Sequence, residues 1–171
     1  MKITRFLPIS IGILFFIAFV PFILSLIFIP SQYSYTNDID INAPVEKVWG
    51  VINDRSKFTE WHPYSEKVVL KDDKHWSESY KDVEDKTNFS VINDSRPNSM
   101  EVTFMVGNGD VFHGAWTGVA TPTATGTHLT TTDREVIDNY LARIPAYLFV
   151  DRNRYAKNWN EALKVQAEKA N

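Results

Sequence analysis

Cysteine is missing altogether from the 171 residues of this chain. Its absence excludes disulfides, a thiol nucleophile and thiolate ligation of a metal. Histidine is scarce as well: only His62, His75, His113 and His128 occur. No two of them stand at the i, i+4 spacing that lets a helix offer two ligands to one ion, so no metal is expected. There is no Gly-x-Ser-x-Gly elbow, which removes the strained turn that exposes a hydrolase serine. Gly107-Asn108-Gly109 is too short for a phosphate-cradling loop and carries the signature of a hairpin turn. No basic stretch or basic helix stands out, so nucleic acid is not an expected partner. Nothing in the sequence implies a cofactor.

Charge is absent from one long stretch. Residues 6–29 hold no Asp, Glu, Lys or Arg, and nearly every position is Ile, Leu, Phe, Val or Ala. Twenty-four residues at about 1.5 Å each reach roughly 36 Å, enough to cross a hydrocarbon core of roughly 30 Å with some tilt. The reading is an N-terminal membrane anchor over residues 1–30, with a transmembrane helix at about 6–29. The run is longer than the apolar region of a cleavable signal peptide, and no small-x-small site closes it at Ile29-Pro30-Ser31. Lys2 and Arg5 precede the run, whereas residues 31–42 contain no Lys or Arg and carry Asp38 and Asp40. The positive-inside rule then leaves the N-terminus in the cytoplasm and puts the domain after the anchor on the other side.

A short polar linker over residues 31–36 leads into one domain over residues 35–171, a normal size for a single core. With Lys2 and Arg5 set aside, 16 basic residues face 21 acidic ones, a net charge of about −5 for the chain beyond the anchor. Residues 35–41 alternate and suggest a first strand. Pro44 suits the opening turn of a helix, with Asn42 or Ala43 at the cap, and Val45, Val48, Trp49 and Ile52 fall at helical spacing. A second short helix is expected over residues 55–61, stopped by Pro63. About six strands come next, the clearest being Met100, Val102, Phe104 and Val106 in strict alternation. Gly114 and Gly118 flank Trp116 at period two, a sign of a strongly bent strand or of close packing across it. Ile144, Leu148, Tyr155, Trp159 and Leu163 predict one long C-terminal helix with Pro145 in its first turn. A sheet of this length must bury one face, and a single amphipathic helix covers it only if the sheet curls around it. One helix does not fill a wide concave sheet, so a cavity between them is expected.

The opening Ile39-Asp40-Ile41-Asn42-Ala43-Pro44-Val45-Glu46-Lys47-Val48-Trp49, with Asn53-Asp54 and Trp61-His62-Pro63 after it, resembles that of the START/Bet v 1-like (SRPBCC) superfamily. Gly126-Thr127-His128-Leu129-Thr130 resembles the entry to its last strand. Residues 149–168 resemble the C-terminal helix of its polyketide cyclase/dehydrase-like branch. The resemblance covers residues 35–170. It implies an α+β helix-grip fold, with a curved antiparallel sheet of about seven strands around a long C-terminal helix and two short helices after strand 1. It also implies an apolar cavity for lipids, sterols, polyketides or similar ligands. It supplies no shared catalytic motif, and fold alone does not fix function.

The aromatic residues supply the candidate pocket: Trp76, Tyr80, Phe89, Phe104, Phe112, Trp116, Tyr155 and Trp159, as a mixed core and ligand-binding set. His113 joins them as a candidate polar pocket residue. The period-two rule puts it opposite Phe112 and Trp116, so an exposed strand position is the competing reading. His62 reads as a surface or capping residue, and Asp133, Arg134 and Glu135 read as a solvated strand end. No catalytic constellation is visible. The expected function is a membrane-anchored binding protein for a hydrophobic small molecule or lipid. The alternatives are a cyclase, dehydrase or hydrolase type of enzyme, which needs polar groups with shifted pKa values converging in the cavity, or a partner-binding module with a filled interior.

Overall fold

A computed structural model describes residues 19–20, 23, 28–81 and 83–169. Among the described residues no helix is long and apolar enough to cross a membrane. The span expected over residues 6–29 lies almost entirely outside the described residues.

Strand β1 (Gln32–Ile41) leads into helix α1 (Val45–Asn53), a single 3-10 turn (Arg55–Lys57) and the short helix α2 (Phe58–Trp61). Six more strands come after them: β2 (Ser65–Leu70), β3 (His75–Tyr80), β4 (Thr87–Ser95), β5 (Ser99–Val106), β6 (Phe112–Pro122) and β7 (Thr127–Ile137). Two helices, α3 (Tyr140–Phe149) and α4 (Arg152–Glu168), end the chain. All seven strands form one antiparallel sheet in the order β1-β7-β6-β5-β4-β3-β2. Strands β2 to β7 are a meander of hairpins, and β1 closes the sheet beside β7. The α+β helix-grip architecture expected from the sequence is the one observed.

The stripe expected on α1 is buried: Val45, Val48, Trp49 and Ile52 pack against the sheet. The cap position falls on Pro44 itself, not on Asn42 or Ala43. Helix α4 crosses the concave face of the sheet and buries Ala156, Asn160, Leu163 and Ala167. Its C-terminal end is tied to the corner after β1, where the Asn42 amide donates to Glu168 Oε1 at 2.7 Å and Lys164 Nζ donates to the Asp40 carbonyl at 2.6 Å.

The single long C-terminal helix expected from apolar spacing is in fact two. The chain breaks at Val150-Asp151, and the Asp151 side chain caps α4 by accepting from the Arg154 amide at 2.9 Å. Asn139 caps α3 in the same way, accepting from the Leu141 and Ala142 amides. Pro145 lies inside α3, not in the first turn of a longer helix. Ile144 and Leu148 therefore do not continue the inward-facing stripe of α4, along which Leu163 is buried, Trp159 half-buried and Tyr155 exposed. Helix α3 buries no residue and exposes Leu141, Tyr147, Leu148 and Phe149, the last at 82%.

One end of the sheet gathers several of these features. The Ile137 amide donates to the Ser31 carbonyl at 2.8 Å and the Asp138 amide to the Val111 carbonyl at 3.2 Å. The start of β1, the end of β7 and the start of β6 thus lie side by side, with α3 beginning next to them. Arg143 on α3 holds this corner by donating to the carbonyls of Ile137 and Asp138.

Candidate functional site

Side chains of one parity on each strand point to the concave face, and the register lines them up in rows across the sheet. One row runs Tyr33, Glu135, Gly114, Phe104, Phe89 and Trp76 from β1 to β3. The next runs Tyr35, Asp133, Trp116, Val102 and Val91. The rings of the first row follow one another, Trp76 stacked on Phe89 at 4.9 Å and Phe89 6.2 Å from Phe104, and Phe112, two residues before Gly114 on β6, extends the series at 5.6 Å from Phe104.

The two glycines of β6 make this possible. A Cβ on Gly114 would lie 2.6 Å from the Phe104 ring, and one on Gly118 would lie 2.4 Å from the Trp116 ring. Each glycine is the seat of an indole or phenyl ring, so of the two readings of their spacing around Trp116 close packing is the one seen.

Between this face and α4 lies a cavity of about 490 Å³. Trp76, Tyr80, Phe89, Phe104, Phe112, Trp116, Tyr155 and Trp159 all line it. Trp159 packs on Trp116 and on Trp61 at 5.6 Å each, forming the inner wall. Lys81, Val83 and Val150 line the cavity and are exposed, so its mouth lies between the β3–β4 connection and the α3–α4 break. His113 is not part of the lining. It projects from the other face of β6, where its Nδ1 lies 3.3 Å from Asp138 Oδ2. Period two, not the aromatic company along the strand, decides its position.

Several polar residues line the cavity that sequence reasoning placed elsewhere or did not single out. His62 is buried rather than on the surface, among Phe58, Tyr80 and Trp159. Its Nδ1 accepts from the Tyr64 amide at 3.2 Å, and burial holds its pKa down at about 4, so the ring is neutral. Glu78 is 2% exposed, and its Oε1 accepts from Trp76 Nε1 at 2.8 Å. Burial raises its pKa, against the opposing hydrogen bonds of Trp76, Ser65 and Tyr80 and the charge of Arg55. Arg55 lies 4.0 Å over the Trp76 ring.

Asp133 and Glu135 do not form a solvated strand end. They share the parity of Leu129 and Thr131 on β7 and line the cavity. Burial pushes Glu135 up to about 7, although Arg152 Nε stands 2.9 Å from its Oε2. Burial alone pushes Asp133 up to about 6. The signal was present in the sequence, because Leu129-x-Thr131-x-Asp133-x-Glu135-x-Ile137 is one alternating series beginning and ending on apolar residues. Tyr155 and Tyr80, also at the cavity, are held well above the ordinary phenol range by burial. Among the described residues no group of His, Asp or Glu is placed to hold a metal ion.

Residues 32–142 match the family described as polyketide cyclase / dehydrase and lipid transport. No curated protein matches the chain. Many solved structures share the fold. Protein MLL2253 of Mesorhizobium loti is 19% identical, with a TM-score of 0.62 over 81% of this chain and 99% of its own. The truncated norcoclaurine synthase of Thalictrum flavum is 10% identical, with a TM-score of 0.65 over 82% of this chain and 96% of its own. The di-domain ARO/CYC StfQ of the steffimycin biosynthetic pathway is 13% identical, with a TM-score of 0.61 over 80% of this chain and 51% of its own. At these identities the likeness is one of fold.

Proposed function

The chain belongs to the polyketide cyclase / dehydrase and lipid transport family, and on that premise we propose that it binds a hydrophobic small molecule or lipid in its cavity while residues 6–29 tether it to a bilayer. The observation that carries the binding reading is the cavity itself, about 490 Å³ walled by indole, phenyl and aliphatic side chains. Removing apolar ligand surface from water there supplies roughly 25 cal/mol per Å², less the cost of ordering the ligand. A partner-binding module with a filled interior does not account for such a space. The tether reading is supported by the uncharged run of residues 6–29 and its basic N-terminal flank. It is also supported by the shared end of the sheet, where β1 begins next to α3 with its exposed Leu141, Tyr147 and Phe149.

The test is native mass spectrometry of the full chain released from detergent, then organic extraction. The expected result is a co-purifying apolar mass that is lost when Trp116→Ala or Phe104→Ala opens the wall. A clean apo mass that also takes up no fluorescent fatty acid or sterol would sink the binding reading.

A second reading, an acid–base enzyme acting on a hydrophobic substrate, is favoured by one observation. Glu135 at about 7 and Asp133 at about 6 stand in the same cavity, poised to exchange protons near neutral pH. It predicts that the extracted molecule changes mass on incubation with fresh protein, and that Glu135→Gln stops the change.

A further inference from the structure

The cavity holds three carboxyl groups, and only two have a cation beside them. Glu135 has Arg152 at 2.9 Å. Glu78 feels the charge of Arg55, which lies over Trp76, the residue that hydrogen-bonds to Glu78. Asp133 has neither an ion pair nor a hydrogen-bond partner among the described residues, and nothing but burial acts on its pKa. Its register neighbours are Tyr35 on β1 and Trp116 on β6. Trp116 in turn packs edge-on against Trp159 of α4. An unpaired carboxyl at an aromatic wall is a costly arrangement for a chain to keep unless something else pairs with it.

We propose that the cavity selects an amphipathic organic amine, its ammonium group paired with Asp133 and its apolar body lying among Trp116, Trp159, Phe104 and Phe112. Three features of the site converge on this ligand class. A cation supplies the charge-assisted hydrogen bond that Asp133 lacks. Trp116, the register neighbour of Asp133, and Trp159, packed edge-on against it, line the same cavity and offer aromatic surface to the same cation. Of the cations that line the cavity, Arg152 is paired with Glu135, Arg55 lies over Trp76 and Lys81 is exposed at the mouth, so an anionic ligand seated at Asp133 would meet carboxyls and is disfavoured. A neutral alcohol of the same shape gains the apolar contacts but not the charge pairing. This inference rests on the binding reading above and names the ligand's polar end.

The test uses three probes on one phenethyl skeleton, the isosteric phenethylamine and phenethyl alcohol and the slightly larger hydrocinnamate, titrated calorimetrically into the full chain in neutral detergent, with a detergent-only blank. The expected order is amine first by about tenfold or more over the alcohol, with hydrocinnamate weakest. Asp133→Asn should collapse the amine-to-alcohol ratio to near unity. If the alcohol or hydrocinnamate binds the unaltered chain as tightly as the amine, the inference is overturned while the binding reading stands. The same holds if Asp133→Asn keeps the tenfold ratio. If none of the three binds, the cavity reading falls and takes this inference with it. The comparison on the unaltered chain decides even if the variant does not fold.

Discussion

Asp133 carries a measurable stability signature. Its pKa stands at about 6 in the folded chain against an ordinary value of 3.8, so the folded state holds the proton more tightly than the unfolded one. Its contribution is therefore full below pH 3.8 and is lost as the pH rises through about 6, amounting to up to about 3 kcal/mol. Asp133→Asn removes that loss. The variant should be more stable than the parent at pH 8 and should approach it as the pH falls towards 4, as tracked by urea unfolding at several pH values. A difference that does not change over this range would contradict the burial of the Asp133 carboxyl. The residue scale is also where the sequence was least legible. The eight aromatic candidates could be read because a large ring, on a strand or on the one helix that covers the sheet, belongs either to the core or to a cavity, and here both lie between the sheet and α4. Asp133, Glu135 and His62 were hidden because their side chains prefer water. Only the register and the curl of the sheet show that water does not reach them freely.

Among the elements, the strands and α1 come directly from periodicity. Alternation in β5 and the buried stripe of α1 appear where the pattern puts them. The C-terminal helix does not, because the apolar spacing runs on across Val150-Asp151 and conceals the break. The overlooked cue was Asp151 itself, a strong cap three residues before the Arg154 amide it accepts from. The break turns α4 so that Arg152, in its first turn, reaches Glu135, and it leaves α3 outside the core. Asp151→Ala should cost about 1 kcal/mol and should speed amide exchange over residues 152–155 more than over the buried half of α4 at Leu163. Uniform exchange along α4 would mean that the cap does not hold this end of the grip.

For the molecule as a whole, fold class was legible because the order of strand, short helices, meander and C-terminal helix admits few compact arrangements. Which face carried the polar groups was not, since that depends on pairing between strands far apart in sequence, such as β1 with β7. The tether reading makes a prediction at this scale. A phosphatase reporter fused after Asn171 should be active, as it is only outside the cytoplasm, and an inactive fusion would reverse the proposed orientation. The indole pairs Trp61–Trp159 and Trp116–Trp159, each with centroids 5.6 Å apart and planes inclined at 58° and 65°, have an optical consequence. Chromophores this close and this asymmetrically disposed couple their transitions, so the empty protein should carry a strong near-ultraviolet circular dichroism signal. Because Trp159 belongs to both pairs and faces the cavity, a molecule entering there would perturb that signal at once. The chain is in this sense its own gauge of occupancy and needs no attached dye.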